Sequence, residues 1–213
     1  PWVGWLSLAG ALAAAGLPPL NGFVSEWLLL QSFLFTLGLK STFVNNLVPV
    51  VAAGIALVAA IGGYVMVKFF GVIFLGQPRE ARLAASHDAV SWERAGLVWL
   101  AVGCVVLGLF PAQVIALIDP VTRTLVGDGI GPQVAAHGWL ILAPVDPNRA
   151  SYSPLLFLLL MATSFALAFV LVRWLYHGRV RRAAPWDCGY PLQTPRMQDT
   201  AEGFGQPIRQ VFE

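Results

Sequence analysis

The chain has 213 residues, of which 57% are hydrophobic and 11% are charged, and its mean hydropathy is +0.71. Because soluble domains carry roughly 25% charged residues, this composition excludes an ordinary soluble domain. The formal net charge of +2 is too small to indicate a nucleic-acid-binding protein.

The apolar runs are long and continuous rather than alternating, which favours membrane-spanning helices over the strands of a barrel. We therefore predict an all-α integral membrane protein: a multi-spanning helical bundle with one discontinuous helix. Residues 1–177 are expected to form the membrane domain, and residues 178–213 a cytoplasmic C-terminal tail. The chain starts in apolar sequence without Met or a signal-peptide pattern, so we expect it to be a piece of a longer protein.

The first predicted element is a discontinuous helix over residues 1–39, broken at residues 16–22 in the stretch "GLPPLNGFVSEW". Two prolines remove backbone donors and disfavour a helical conformation in the residues before them. Each half is short for a span of about 20 residues, so two short helices in a hairpin are the alternative. Asn21 or Gly22 is expected to cap the second half. The residues assigned to the break are Gly16, Pro18, Pro19, Asn21, Gly22 and Ser25.

Further membrane helices are predicted over residues 48–75, 95–117 and 152–177, each of which is apolar enough to span. The loop at 118–150 contains the short run "WLILAPV", which cannot span and is expected to lie on the surface. Arginines are concentrated in the loop at 76–94 and in the tail beside residue 178. The positive-inside rule places both of these in the cytoplasm.

Glu26 is the acidic residue that lies within an apolar run, directly after the break. A charge at the bilayer centre costs roughly 2.5–3.5 kcal/mol on insertion scales, and such residues usually mark ion paths. Interrupted membrane helices also build ion sites in transporters. We therefore predict that Glu26 belongs to a proton path. The alternative is a carboxylate that only caps backbone groups or pairs with a cation.

Lys68 is the second candidate for the proton path, because it is a cation inside the run at 48–75. Its position near the end of that run leaves an alternative, since a lysine stem can extend to the lipid headgroups.

No catalytic, cofactor-binding or metal site is predicted in this chain. Three histidines, His87, His137 and His177, lack partners at metal-ligand spacing. Cys104 and Cys188 are assigned to packing, and no triad, nucleotide loop or cofactor fingerprint is visible.

The stretch "GALAAAGLPPLNGFVSEWLLLQ" closely resembles the discontinuous helix of antiporter-like, proton-translocating membrane subunits. This family is shared by respiratory complex I, Mrp-type cation/proton antiporters and membrane-bound [NiFe] hydrogenases. The tail motifs "WDCGY" and "PRMQ" look most like hydrogenase-4 component B and the corresponding formate hydrogenlyase subunit.

The resemblance implies an inverted-repeat helical fold with buried Glu, Lys and His residues along the membrane midplane. It places residues 1–39 as the second broken helix, with Glu26 at its charged position and Lys68 in the next helix; the first repeat would lie outside this chain.

The resemblance also implies membrane and hydrophilic redox subunits as partners, with Ni–Fe and Fe–S centres in those partners and none in this chain. Protons, or Na⁺, would be the transported ions, and the location would be the inner (plasma) membrane. The alternatives are a complex I subunit, an Mrp-type antiporter subunit, and a structural membrane anchor without an ion path.

Overall fold

The computed structural model describes residues 2–34, 41–129, 151–179, 189–190 and 194–198, together with 131, 134, 138, 141–143, 192, 203 and 210. Its helices are α1 (Trp2–Ala14), α2 (Asn21–Leu34), α3 (Thr42–Phe70), α4 (Ser91–Leu109), α5 (Pro111–Val126) and α6 (Pro154–Leu175). A π-helical turn, Gly71–Leu75, continues α3, and a 3₁₀ turn covers Ala81–Ala85. The described residues contain no strand, only a β-bridge between Leu142 and Tyr152. The all-α prediction is therefore confirmed.

Three of these helices are long and apolar enough to cross a membrane: Thr42–Leu75, Ser91–Leu109 and Pro154–Leu175. The first of them begins at Thr42 rather than at residue 48, so it includes Asn45 and Asn46 before the apolar run. Pro49 lies inside this helix. Proline is tolerated in membrane helices because neighbouring groups can satisfy the freed carbonyl.

The segment predicted as one helix over 95–117 is instead divided into α4 and α5. Phe110 separates them with φ −120° and ψ 46°, which is not a helical conformation. Pro111 follows at the first helical position of α5, where its missing N–H costs no hydrogen bond. The apolar run continues through this break, which is why hydropathy alone did not reveal it.

The chain forms two compact units. The first comprises Pro1–Val67 and Asp88–Leu158, and the second comprises Lys68–His87 and Leu159–Glu213. In the first unit α4 packs against α1, α2 and α5. Asp88 joins the start of α1 to this unit, because its carboxylate accepts the N–H groups of Trp2 at 2.8 Å and Val3 at 3.1 Å.

The core of the first unit lies between α2, α5 and the segment around residue 142. Tyr152 is buried there against the rings of Phe23 and Trp27, at centroid distances of 5.1 and 5.7 Å. Leu142 exchanges two backbone hydrogen bonds with Tyr152, of 2.8 and 2.9 Å. Leu142 and Ala143 are each 1% exposed. The expectation that "WLILAPV" lies on the surface is thus wrong for these residues, because the bridge carries them into the core.

Candidate functional site

Helix α1 ends in a Schellman motif centred on Gly16. The Gly16 N–H donates to the Ala13 carbonyl at 3.1 Å, and the Leu17 N–H donates to the Leu12 carbonyl at 3.0 Å. Gly16 has φ +66°, the left-handed conformation that this motif requires and that glycine adopts without a Cβ clash. The break therefore begins with a glycine stop signal, and the two prolines come after it.

The prolines separate this stop from the start of α2. Pro18 and Pro19 have no N–H to satisfy, and the Leu20 N–H donates to the Leu17 carbonyl at 3.0 Å. Asn21 is the first residue of α2, and its side-chain oxygen is buried without a donor among the described residues. Ser25 donates its hydroxyl to the Gly22 carbonyl at 2.8 Å, so this hydroxyl bonds within α2.

The carboxylate of Glu26 lies directly over Gly16. A Cβ placed on Gly16 would collide with Glu26 Oε2 and would approach its carboxyl carbon to 3.1 Å. Glu26 is partly buried, and no hydrogen bond or ion pair to it is found among the residues that the structure describes. The fold thus brings the acid of α2 onto the backbone of the break, where Gly16 provides the space for it.

Backbone at the break is packed against protein on two sides. Gly22 faces the carbonyl of Ala13, with no room for a side chain between them. On α4, a Cβ at the buried Gly108 would collide with the carbonyl of Pro19 and reach Leu20 at 2.7 Å. Irregular backbone at membrane depth is tolerated where protein covers it or where it lines a cavity, and this packing meets the first condition.

Lys68 belongs to the second compact unit. It lies in the last turn of α3 and is partly buried. The π-helical turn follows directly, and the Phe70 and Phe74 rings stack with centroids 5.2 Å apart. π-Helical turns are rare and occur frequently at functional sites. Glu26 is thus placed in one unit and Lys68 in the other.

Within the described part of the chain, no group of three or more His, Cys, Asp or Glu side chains could hold a metal ion. Cys104 is a partly buried free thiol in α4. His137 and Cys188 lie outside the described residues.

The sequence analysis missed two polar residues that organise the structure. Asp119 of α5 is buried and accepts the Gly131 N–H at 2.7 Å and the Arg123 Nε at 2.6 Å. The signal for it was the i,i+4 spacing of Asp119 and Arg123. Gln198, in the "PRMQ" motif, bonds to the backbone of Gln77. No local pattern indicates that contact, because the two residues are far apart in the chain.

No protein-family model matches the chain, although individual proteins do. Formate hydrogenlyase subunit 3 of Escherichia coli is 32% identical over the whole chain, which covers 32% of that protein. Hydrogenase-4 component B of the same organism is 28% identical over the whole chain, which covers 31% of it.

A probable K⁺/H⁺ antiporter protein of Rhizobium meliloti is 29% identical over 66% of the chain and 14% of its own length. The chain thus spans about a third of the length of the two hydrogenase-type relatives, and less of the antiporter protein.

Proposed function

The chain belongs to the antiporter-like family of membrane subunits that includes formate hydrogenlyase subunit 3 and hydrogenase-4 component B, and on this premise we propose that it contributes a proton path built around Glu26. The protein would be the proton-translocating subunit of a membrane-bound hydrogenase or formate hydrogenlyase complex. It would couple electron transfer in partner subunits to proton movement, with Lys68 as the cation of the path.

The observation that carries this proposal is the position of the Glu26 carboxylate over Gly16 in the broken helix. An acid that served only to stabilise a helix would bond to backbone N–H groups or to a cation. Glu26 has neither partner among the described residues, although it is partly buried and belongs to the apolar helix α2. An ionisable group without a fixed partner can bind and release a proton without dismantling a structural contact.

Two further polar atoms on α2 support a hydrated path. The side-chain oxygens of Asn21 and Gln31 are buried and receive no hydrogen bond from the described residues. Buried acceptors are normally satisfied by protein or by an internal water. Water at these oxygens would place proton-conducting molecules along the same helix as Glu26.

The redox chemistry is assigned to partners rather than to this chain. We propose that hydrophilic subunits with Ni–Fe and Fe–S centres supply the electron transfer, and that other membrane subunits carry the rest of the ion path. The assembly would lie in the plasma membrane, with the tail at 178–213 on the cytoplasmic side.

The test replaces Glu26 with Gln in the full-length protein within its complex. Proton uptake by vesicles is measured together with electron transfer. Because Gln keeps the shape of the side chain but cannot carry a proton, we expect protons moved per electron to fall by at least about tenfold.

The matched control is Glu93→Gln. Glu93 accepts the Val90 N–H at 3.0 Å at the exposed start of α4, and Gln can still accept that hydrogen bond. This variant should translocate protons normally. Unchanged coupling in Glu26→Gln would refute the assignment of Glu26.

A second candidate is cation/proton antiport without redox partners, which the similarity to the K⁺/H⁺ antiporter protein favours. Purification of the full-length protein with its associated subunits separates the two candidates. Copurifying proteins that contain nickel and Fe–S centres support the hydrogenase assignment, whereas a K⁺- or Na⁺-dependent proton flux in their absence supports antiport.

A further inference from the structure

Gln198 makes a two-point hydrogen-bonded contact with the backbone of one residue, Gln77, in the second unit. The Gln77 N–H donates to Gln198 Oε1 at 2.6 Å, and Gln198 Nε2 donates to the Gln77 carbonyl at 2.6 Å. Arg79 adds a third bond from its Nη2 to the Gln198 carbonyl at 2.9 Å. We call these three bonds the Gln198 clasp.

The chemistry of the clasp is specific to an amide side chain. The two bonds between the Gln198 amide and the Gln77 backbone resemble the pair of backbone bonds that two opposed residues exchange in an antiparallel sheet. A primary amide can donate and accept at the same time, whereas an ionised carboxylate can only accept. Glu at position 198 would therefore keep one bond and place a charge against the Gln77 carbonyl.

The clasp holds the end of the π-helical turn that continues α3. Gly76 ends this turn in an extended conformation. A Cβ at Gly76 would approach the Val72 carbonyl oxygen to 2.6 Å and Gln198 Oε1 to 3.1 Å, so the tail amide packs closely on this end of the helix. The clasp thus contacts backbone that follows Lys68 in the chain, directly after the π-helical turn.

A short turn in the tail presents Gln198 to this site. The Met197 N–H donates to the Thr194 carbonyl at 2.9 Å, immediately before Gln198. A cavity of about 610 Å³ lies beside the clasp, and Gln198 is the described tail residue that lines it. Among the described residues, the three hydrogen bonds of the clasp are the polar contacts that join Gln198 to the loop.

We propose that Gln198 is a positioning residue for Lys68, which fixes the π-helical turn and so the end of α3 where the lysine lies. The inference rests on the proposed role of Lys68 in the proton path. The clasp itself is a separate claim about structure, and it can be tested without any transport measurement.

The first experiment measures hydrogen–deuterium exchange in the full-length protein for a peptide that includes Gln77. Gln198→Ala removes both bonds to Gln77, so we expect the Gln77 amide to exchange about tenfold faster or more. Gln77→Ala is the matched control. Its amide at position 77 should exchange as slowly as in the parent, because the clasp uses the backbone of Gln77 and not its exposed side chain. Unchanged exchange in Gln198→Ala would overturn the proposal.

The second experiment asks whether the clasp acts through Lys68. Protons moved per electron are measured for Gln198→Ala, Lys68→Met and the double variant. If Gln198 positions Lys68, both single variants lower the ratio and the double variant is no worse than Lys68→Met alone. Additive losses, or a normal ratio in either single variant, would overturn the positioning role.

The two experiments also separate this inference from the proposed function. Faster exchange in Gln198→Ala would support the clasp even if Glu26→Gln moved a normal number of protons per electron, a result that would reject Glu26 as a proton carrier. Fewer protons per electron in Glu26→Gln, with unchanged exchange in Gln198→Ala, would support Glu26 as a proton carrier and reject the clasp.

Discussion

Two acidic residues of the first unit have opposite surroundings. Asp119 is buried with two short hydrogen bonds, from the Gly131 N–H and the Arg123 guanidinium. Glu26 lies against the backbone of Gly16 without a described hydrogen bond or ion pair. A buried carboxylate that accepts hydrogen bonds in its charged form is held in place by them and acts as a structural anchor. The contacts of Asp119 indicate a structural role, whereas proton movement through Glu26 stays a prediction.

The anchor role of Asp119 predicts a pH-dependent stability. The Gly131 N–H lowers the pKa of Asp119 below its ordinary value of 3.8, against burial, which raises it, and Arg123 lowers it further. A lowered folded-state pKa means that the stabilisation is present above pH 3.8 and is lost as pH falls through the lower value. The Asp119→Asn protein should therefore be less stable than the parent at pH 7.

The measurement is thermal unfolding in detergent at several pH values. The unfolding temperature of Asp119→Asn should lie below that of the parent at pH 7, and this difference should shrink below pH 3.8. Asp128→Asn is the control, because the exposed Asp128 accepts a bond from the adjacent Gly129 N–H at 2.7 Å and from no other residue that the structure describes. The unfolding temperature of Asp128→Asn should equal that of the parent at every pH. A stability difference for Asp119→Asn that does not depend on pH would contradict the anchor role.

At the scale of elements, the break between α1 and α2 depends on packing against α4 as well as on its own sequence. Gly16 ends α1 and the prolines prevent its continuation, but the exit of the chain from the break is set by α4. The buried Gly108 allows the backbone of Pro19 and Leu20 to lie against α4 without an intervening side chain. The geometry of the break thus depends on a glycine far from it in the sequence.

This packing predicts that Gly108→Ala destabilises the protein. Its Cβ would collide with backbone atoms of the break, which cannot rotate away, and overpacking of this kind typically costs about 1–3 kcal/mol. Gly103→Ala in the same helix is the matched control, because a Cβ there meets nothing within 4 Å. The control should be neutral or more stable by up to about 1 kcal/mol, since Ala favours helix.

Both variants are measured by thermal unfolding of the full-length protein in the same detergent. Equal unfolding temperatures for Gly108→Ala and Gly103→Ala would contradict the close packing of α4 on the break. The same pair can be assayed for protons moved per electron, where only Gly108→Ala should be impaired.

At the scale of the whole molecule, the large apolar surfaces indicate a membrane environment. The spans Thr42–Leu75 and Pro154–Leu175 bury none of their most apolar residues within the structure, and exposed examples are Val58 at 68% and Phe165 at 78%. Water would make such surfaces costly, whereas lipid or other membrane subunits would cover them. The relatives confirm the predicted resemblance, and the chain spans about a third of their length.

The orientation derived from the arginine distribution remains a prediction, and it can be tested by labelling. Cysteine is introduced at the exposed positions Glu80 and Asp128, in a protein with Cys104 and Cys188 replaced by Ser. Because positively charged loops stay in the cytoplasm, an impermeant maleimide should label Glu80→Cys only in inside-out vesicles. Asp128→Cys should react in right-side-out vesicles, and the opposite pattern would reverse the assigned topology.

The sequence by itself determined the class of the protein and the existence of the helix break. Hydropathy over long runs reports membrane helices because lipid cannot satisfy exposed backbone groups, and this signal needs no tertiary information. Gly16 and the two prolines likewise end a helix by local backbone chemistry. The motif around Glu26 carried the family resemblance for the same reason: it is contiguous in the chain.

The tertiary structure decided which residues meet. Hydropathy could not divide α4 from α5, since the apolar run continues through Phe110, and it could not bring Leu142 to Tyr152. The placement of Glu26 over Gly16, of Gly108 against Pro19 and of Gln198 on Gln77 all join residues from separate turns or distant segments. Such contacts depend on how helices and loops pack, and no local pattern of residue types encodes that arrangement.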